Sequence, residues 1–107
     1  MRITNDKEEI KELINKSDMA LIYFSGENCG VCSVIKAKAE DILKRYPKIN
    51  SIEIKTEKSL EIAAEYSIFT IPGILVYVDH KETIREARYI SVEELEKKID
   101  RYYNMVF

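Results

Sequence analysis

The sequence predicts one α/β domain built on a mixed sheet with helices on both faces. Three observations point there. Residues 19 to 24, Met-Ala-Leu-Ile-Tyr-Phe, form an almost unbroken apolar run, the pattern of a central strand covered on both sides. Strand-like and helix-like periodicities alternate through the first two thirds of the chain, and a hairpin pattern follows them. With 107 residues, 46% of them hydrophobic, the whole span 1–107 suffices for a single core without disulfide staples.

The elements follow in order. Arg2-Ile3-Thr4 reads as a very short edge strand. Asn5, with Glu8 three residues later, predicts a capping box that opens a helix to about residue 16, with Ile10, Leu13 and Ile14 as its buried stripe. After the apolar strand, Ser25-Gly26-Glu27-Asn28 forms a loop. A helix is expected from about residue 29 to 46, burying Ile35, Ala39, Ile42, Leu43 and Tyr46 and stopped by Pro47. Ser51-Ile52-Glu53-Ile54-Lys55 alternates as a strand, and residues 58 to 66 read as a short helix with Leu60, Ala63 and Ala64 inward. Phe69-Thr70-Ile71-Pro72-Gly73 interrupts the pattern. Residues 74 to 78, a turn at Asp79-His80-Lys81 and a strand over roughly 82 to 88 make the hairpin. Ser91 with Glu94 caps a last helix with the stripe Val92, Leu95, Ile99, Tyr102 or Tyr103, and Val106.

Charge and composition narrow the function. The 17 basic and 19 acidic residues are interleaved, for a net charge of −2, so no basic stripe exists for a phosphate backbone and nucleic acid is not an expected partner. No segment approaches membrane-spanning length, and residues 1 to 9 lack the apolar stretch of a signal peptide. The expected setting is cytoplasmic, without a membrane partner, and the chain is expected to be a monomer. An apolar tail at 102 to 107 offers a dimer patch as the alternative to ordinary packing.

The chemistry centres on Asn28-Cys29-Gly30-Val31-Cys32, which holds the only two cysteines. A strand that empties into a helix start places the first cysteine among unpaired N–H groups at the positive end of the helix dipole, where a thiolate is stabilised. Two cysteines three apart lie on one face, within bonding distance. Cys29 is then the attacking thiolate and Cys32, a turn further in, the resolving thiol. In a reducing compartment such a pair is catalytic or metal-binding more often than structural. Zinc needs two more ligands. The single histidine, His80, falls in the hairpin turn and there is no third cysteine, so neither a metal nor another cofactor is expected within one chain. A metal shared between two chains is the remote alternative.

A C-x-x-C at a strand-to-helix junction, with Thr70-Ile71-Pro72 some forty residues on and ahead of a hairpin, resembles the thioredoxin family over nearly the whole chain. The resemblance implies that family's central five-stranded mixed sheet, and a cis peptide between Ile71 and Pro72 opposite the cysteines. That bend would leave the backbone of Ile71 free to pair with an extended substrate. The resemblance also implies an enzyme, a thiol–disulfide oxidoreductase reducing protein disulfides through Cys29 and Cys32, with Ile71 and Pro72 binding substrate. A thiol reductant or a disulfide reductase would recycle it.

Several positions depart from the family pattern Trp-Cys-Gly-Pro-Cys and its surroundings. Asn28 stands for the tryptophan and Val31 for the proline. Tyr23, six residues before Cys29, replaces a buried aspartate that relays the resolving thiol's proton, and Glu53 aligns with its lysine neighbour. Two readings of Glu53 stay open. Its alternation with Ile52 and Ile54 makes it a solvent-facing strand residue; pointed under the cysteines, it becomes the proton acceptor for Cys32, its pKa raised by desolvation. Arg88-Tyr89 replaces a small glycine-containing loop and is expected to restrict partners by charge and shape. The alternative function is a non-catalytic or redox-sensing binding module on the same scaffold.

Overall fold

The computed structural model describes all 107 residues. Five strands form one sheet in the order β1-β3-β2-β4-β5. They are β1 (Arg2–Ile3), β2 (Met19–Ser25), β3 (Asn50–Lys55), β4 (Gly73–Val78) and β5 (Lys81–Ala87). β3 runs parallel to both β1 and β2, whereas β4 is antiparallel to β2 and β5 to β4. The helices are α1 (Lys7–Lys16), α2 (Cys32–Arg45), α3 (Leu60–Glu65) and α4 (Val92–Val106). No helix is long and apolar enough to cross a membrane.

β2 sits at the centre, and every one of its residues is buried. Successive strand residues point to opposite faces. Met19, Leu21 and Tyr23 therefore enter one core with Ala39 and Ile42 of α2 and Leu95 and Ile99 of α4. Ile22 and Phe24 enter the other with Ile10 and Ile14 of α1 and Ile62 and Ala63 of α3. Each fully buried aliphatic side chain contributes about 1.5–3 kcal/mol, so the unbroken apolar run makes β2 the most firmly held segment, and the active-site loop hangs from its end.

Several boundaries differ from the sequence reading. α1 is capped by Asp6, not Asn5: the Asp6 carboxylate accepts from the Glu8 N–H at 3.0 Å, and Thr4 Oγ1 accepts the Asp6 N–H at 3.1 Å, which sets the phase. A 3-10 turn at Thr56–Lys58 precedes α3. That turn rotates the helix so that Ile62 and Ala63 face the sheet while Ala64 is exposed and Leu60 is 71% exposed. α4 starts as expected, with Ser91 Oγ accepting the Glu94 N–H. The hairpin turn is Asp79-His80, both at positive φ, as a two-residue loop of type I′ requires. His80 is exposed, its Nδ1 2.9 Å from the Ile14 carbonyl. The C-terminal aromatics pack, with Tyr103 between Tyr46 and Phe107 at centroid distances of 5.0 and 4.8 Å.

Candidate active site

β2 carries the chain to one end of the sheet, and Gly26 to Val31 turn it into α2. The helix begins at Cys32, three residues later than the sequence suggests; Cys29 lies in the preceding turn, its carbonyl accepting the Cys32 N–H at 3.2 Å. The two sulfurs are bonded, with the Cα atoms 5.4 Å apart. Cys29 is partly exposed and Cys32 only 5% exposed, so an incoming molecule meets Cys29 first. The N-cap position of α2 is Val31, which offers no side-chain acceptor, unlike Asp6 on α1 and Ser91 on α4. The first N–H groups of α2 are left without a capping side chain beside Cys29, and such groups stabilise negative charge.

Opposite this turn, the Ile71–Pro72 peptide is cis. Pro72 is buried and Ile71 half-buried. The Pro72 carbonyl accepts the Arg88 N–H at 2.8 Å, but neither the N–H nor the C=O of Ile71 has a backbone partner within the chain. Pro72 and Val31 line one cleft together with Ile35, Arg88, Tyr89 and Ile90, which brings the two predicted site segments to a shared opening. The Ile71 side chain lies against Gly26: a Cβ on that glycine would sit 2.5 Å from Ile71 Cδ1 and 2.8 Å from Glu57 Oε2. Close approach is the reason for glycine there.

A second cleft, on the other side of the disulfide, is lined by Tyr23, Cys29, Cys32, Lys36, Glu53 and Lys55 among others. Glu53 is 0% exposed, which settles its placement against the solvent-facing reading: β3 lies between β1 and β2 and is covered on both faces, so alternation did not mean exposure. Its Oε2 accepts from Ser25 Oγ at 2.6 Å and faces Lys55 Nζ at 3.3 Å. Its Oε1, with no other donor, faces Lys36 Nζ at 2.8 Å. Burial pushes the Glu53 carboxyl up, but Lys36, Ser25 and Lys55 together outweigh it and hold the group below the usual carboxylate range. The raised pKa expected from desolvation is thus corrected: the burial is real, and Lys36, Ser25 and Lys55 reverse its effect.

Tyr23, paired with Glu53 across the β2–β3 register, donates its hydroxyl to the Cys32 carbonyl at 2.6 Å. Burial, and after it the Glu53 charge, push the phenol up to about 12, so it remains a donor at neutral pH. Lys36, Lys55 and Ser25 were missed in the sequence. The available signals were positional: Lys36 stands four residues after Cys32 on α2, and Ser25 pairs in register with Lys55, which lies two residues beyond Glu53 on the same side of β3.

Fold and site together define a dithiol–disulfide protein: a disulfide at the uncapped start of a helix, beside a cis-proline segment with an open backbone edge. The Thioredoxin family model matches residues 2–101. Thioredoxin-like protein YdfQ of Bacillus subtilis is 32% identical over 96 residues, which cover 90% of this chain and 86% of that protein. A thioredoxin of Ophiophagus hannah is 28% identical over 104 residues, covering 95% and 98%. The X-ray structure of Fasciola hepatica thioredoxin superposes with a TM-score of 0.85 at 27% identity, covering 95% of this chain and 99% of that one. The chain belongs to the thioredoxin family, as a thiol–disulfide oxidoreductase whose redox pair is Cys29–Cys32.

Proposed function

We propose that this protein works in the reducing direction, as a cytoplasmic protein-disulfide reductase. The unequal burial of the two cysteines, beside the unpaired backbone of Ile71, carries the assignment of Cys29 as nucleophile, and the likeness to thioredoxins supports the reducing direction. A substrate segment lies extended along Ile71-Pro72. The Cys29 thiolate attacks one sulfur of the substrate disulfide, forming a Cys29–substrate bond and releasing the other substrate sulfur, which takes up a proton. Cys32 then loses its proton and attacks Cys29 Sγ. The Cys29–Cys32 bond forms, and the second substrate sulfur leaves and is protonated. Two electrons and two protons pass from dithiol to substrate. A thiol reductant or a disulfide reductase restores the dithiol.

Glu53 acts as the acceptor of the Cys32 proton. Its support is that the carboxylate lines the same cleft as Cys32 and is ionised at neutral pH, ready to receive a proton. Lys36, 2.8 Å from Glu53 Oε1, keeps the carboxylate ionised between transfers.

Thiol trapping in the parent chain and in Cys29→Ser and Cys32→Ser tests the cycle. Cys32→Ser should accumulate a substrate mixed disulfide at Cys29 and Cys29→Ser should form none. A reduction potential near ~ −270 mV fits a reductase, whereas ~ −120 to −180 mV would reassign the protein to disulfide formation or reshuffling. The departures at Asn28 and Val31 favour a second reading, a redox-sensing binding module. It requires partner binding that survives Cys29→Ser with no turnover in the parent chain.

A further inference from the structure

We propose that the cleft beside the disulfide selects polypeptide disulfides that carry an acidic side chain next to the attacked cysteine. The inference rests on the oxidoreductase reading above and adds a substrate class to it. The cleft has a volume of about 420 Å³, and Arg88 is its one charged lining residue, among Val31, Ile35, Pro72, Tyr89 and Ile90.

Three observations bear on Arg88. It makes no ion pair, whereas the neighbouring cation on β5, Arg85, is bound to Glu82 and the acid beside it, Glu86, is taken by Lys98. Other exposed cations, such as Lys38 and Lys81, are also unpaired, but Arg88 is the one that lines this cleft. Its φ is 69°, in the left-handed region that side-chain-bearing residues adopt at a cost and glycine adopts freely. A costly conformation held at the rim of a reactive cleft points to use of the side chain. Finally, the guanidinium lies over the Tyr89 ring, 5.2 Å from its centroid, which pre-orients the fork that matches a carboxylate.

The occupant follows from position and chemistry. The Arg88 N–H is fixed to the Pro72 carbonyl, so the side chain starts one residue from the open backbone edge at Ile71. A substrate segment paired along that edge places a residue flanking its cysteine beside the guanidinium. Apart from Ser91 the rest of the opening is lined by apolar or aromatic residues; Tyr89 is 81% exposed and Val31 is also exposed, so the next side chain of the partner meets a largely hydrophobic surface. A short segment with an acid beside the cysteine and an apolar residue beyond it satisfies both.

The experiment compares two peptide disulfides that differ only in an Asp or a Lys beside the cysteine, reacted with the reduced parent chain, with Arg88→Gly and with Arg88→Glu. The expected Asp-over-Lys ratio of second-order rate constants is about two- to fivefold in the parent, the scale of a solvent-exposed ion pair. It should fall to near one in Arg88→Gly, invert in Arg88→Glu and shrink with added salt. A ratio of one in the parent, or a ratio that survives Arg88→Gly, overturns the inference. A neutral small disulfide run alongside separates the two readings. Its reduction without any charge preference removes only the selectivity; no reaction with any disulfide removes the reductase reading as well.

Discussion

The Tyr23 hydroxyl donates to the Cys32 carbonyl across 2.6 Å, tying the central strand to the first residue of the active-site helix. The bond is buried, and the phenol stays protonated because its pKa is pushed up to about 12. Tyr23→Phe keeps the ring in the core and removes only this bond. It should cost about 1–1.5 kcal/mol, read from denaturant unfolding of the oxidised protein; no loss would show that the helix start holds itself.

Glu53 links the site to pH. Its folded pKa lies below that of the unfolded chain, so the stability it contributes is fully present above the unfolded value of about 4.3 and disappears as pH falls through the lower folded value. Glu53→Gln should flatten that part of the stability profile. Lys36→Met leaves the carboxylate with Lys55 and Ser25 alone. Its pKa should rise, the acid loss should begin at higher pH, and stability at pH 7 should drop by about 1.5–3 kcal/mol, toward the lower figure because Lys36 is 33% exposed. Urea unfolding from pH 3 to 8 reads all three proteins.

Gly26, before the disulfide, and Gly30, between its two cysteines, should answer differently to a methyl group. Gly26→Ala pushes aside the far ends of the Ile71 and Glu57 side chains, which rotate at small cost; turnover with a peptide disulfide should fall by no more than about twofold, through KM, because the Ile71 side chain borders the substrate edge. Gly30 has open space around it and no positive φ, so Gly30→Ala should leave stability within about 0.5 kcal/mol.

The missing side-chain cap on α2 has its own consequence. Val31→Asp places a negative charge where Cys29 uses the helix dipole. Alkylation of reduced Cys29 at pH 7 should slow by about two- to fivefold, the factor for about 0.3–1 kcal/mol of dipole interaction. Unchanged alkylation would mean that the α2 terminus does not activate Cys29. At the helices that do have caps, Asp6→Ala and Ser91→Ala should each cost about 1 kcal/mol of stability.

The sequence by itself determined the architecture and the reactive pair. An apolar run at 19 to 24 can only be buried on both faces, and a C-x-x-C at its end joins a strand to a helix whatever the neighbours are. Those features depend on residues adjacent in the chain. Ser91 and Glu94 mark the α4 start for the same reason, because a cap is a contact over three residues. What only the tertiary structure decided depends on groups brought together from afar. Asn5 and Asp6 are equally good cap residues, and the choice falls to Asp6 through its contact with Thr4. The phase of α3, and with it Ile62 rather than Leu60 in the core, is set by the 3-10 turn before it. Glu53 shows the point most plainly. Alternation along β3 cannot reveal that sheet and helices cover both of its faces, and desolvation alone predicts a raised pKa. Lys36 arrives from α2 at 2.8 Å and Lys55 from the strand end at 3.3 Å, and with the Ser25 hydroxyl they outweigh the cost of burial.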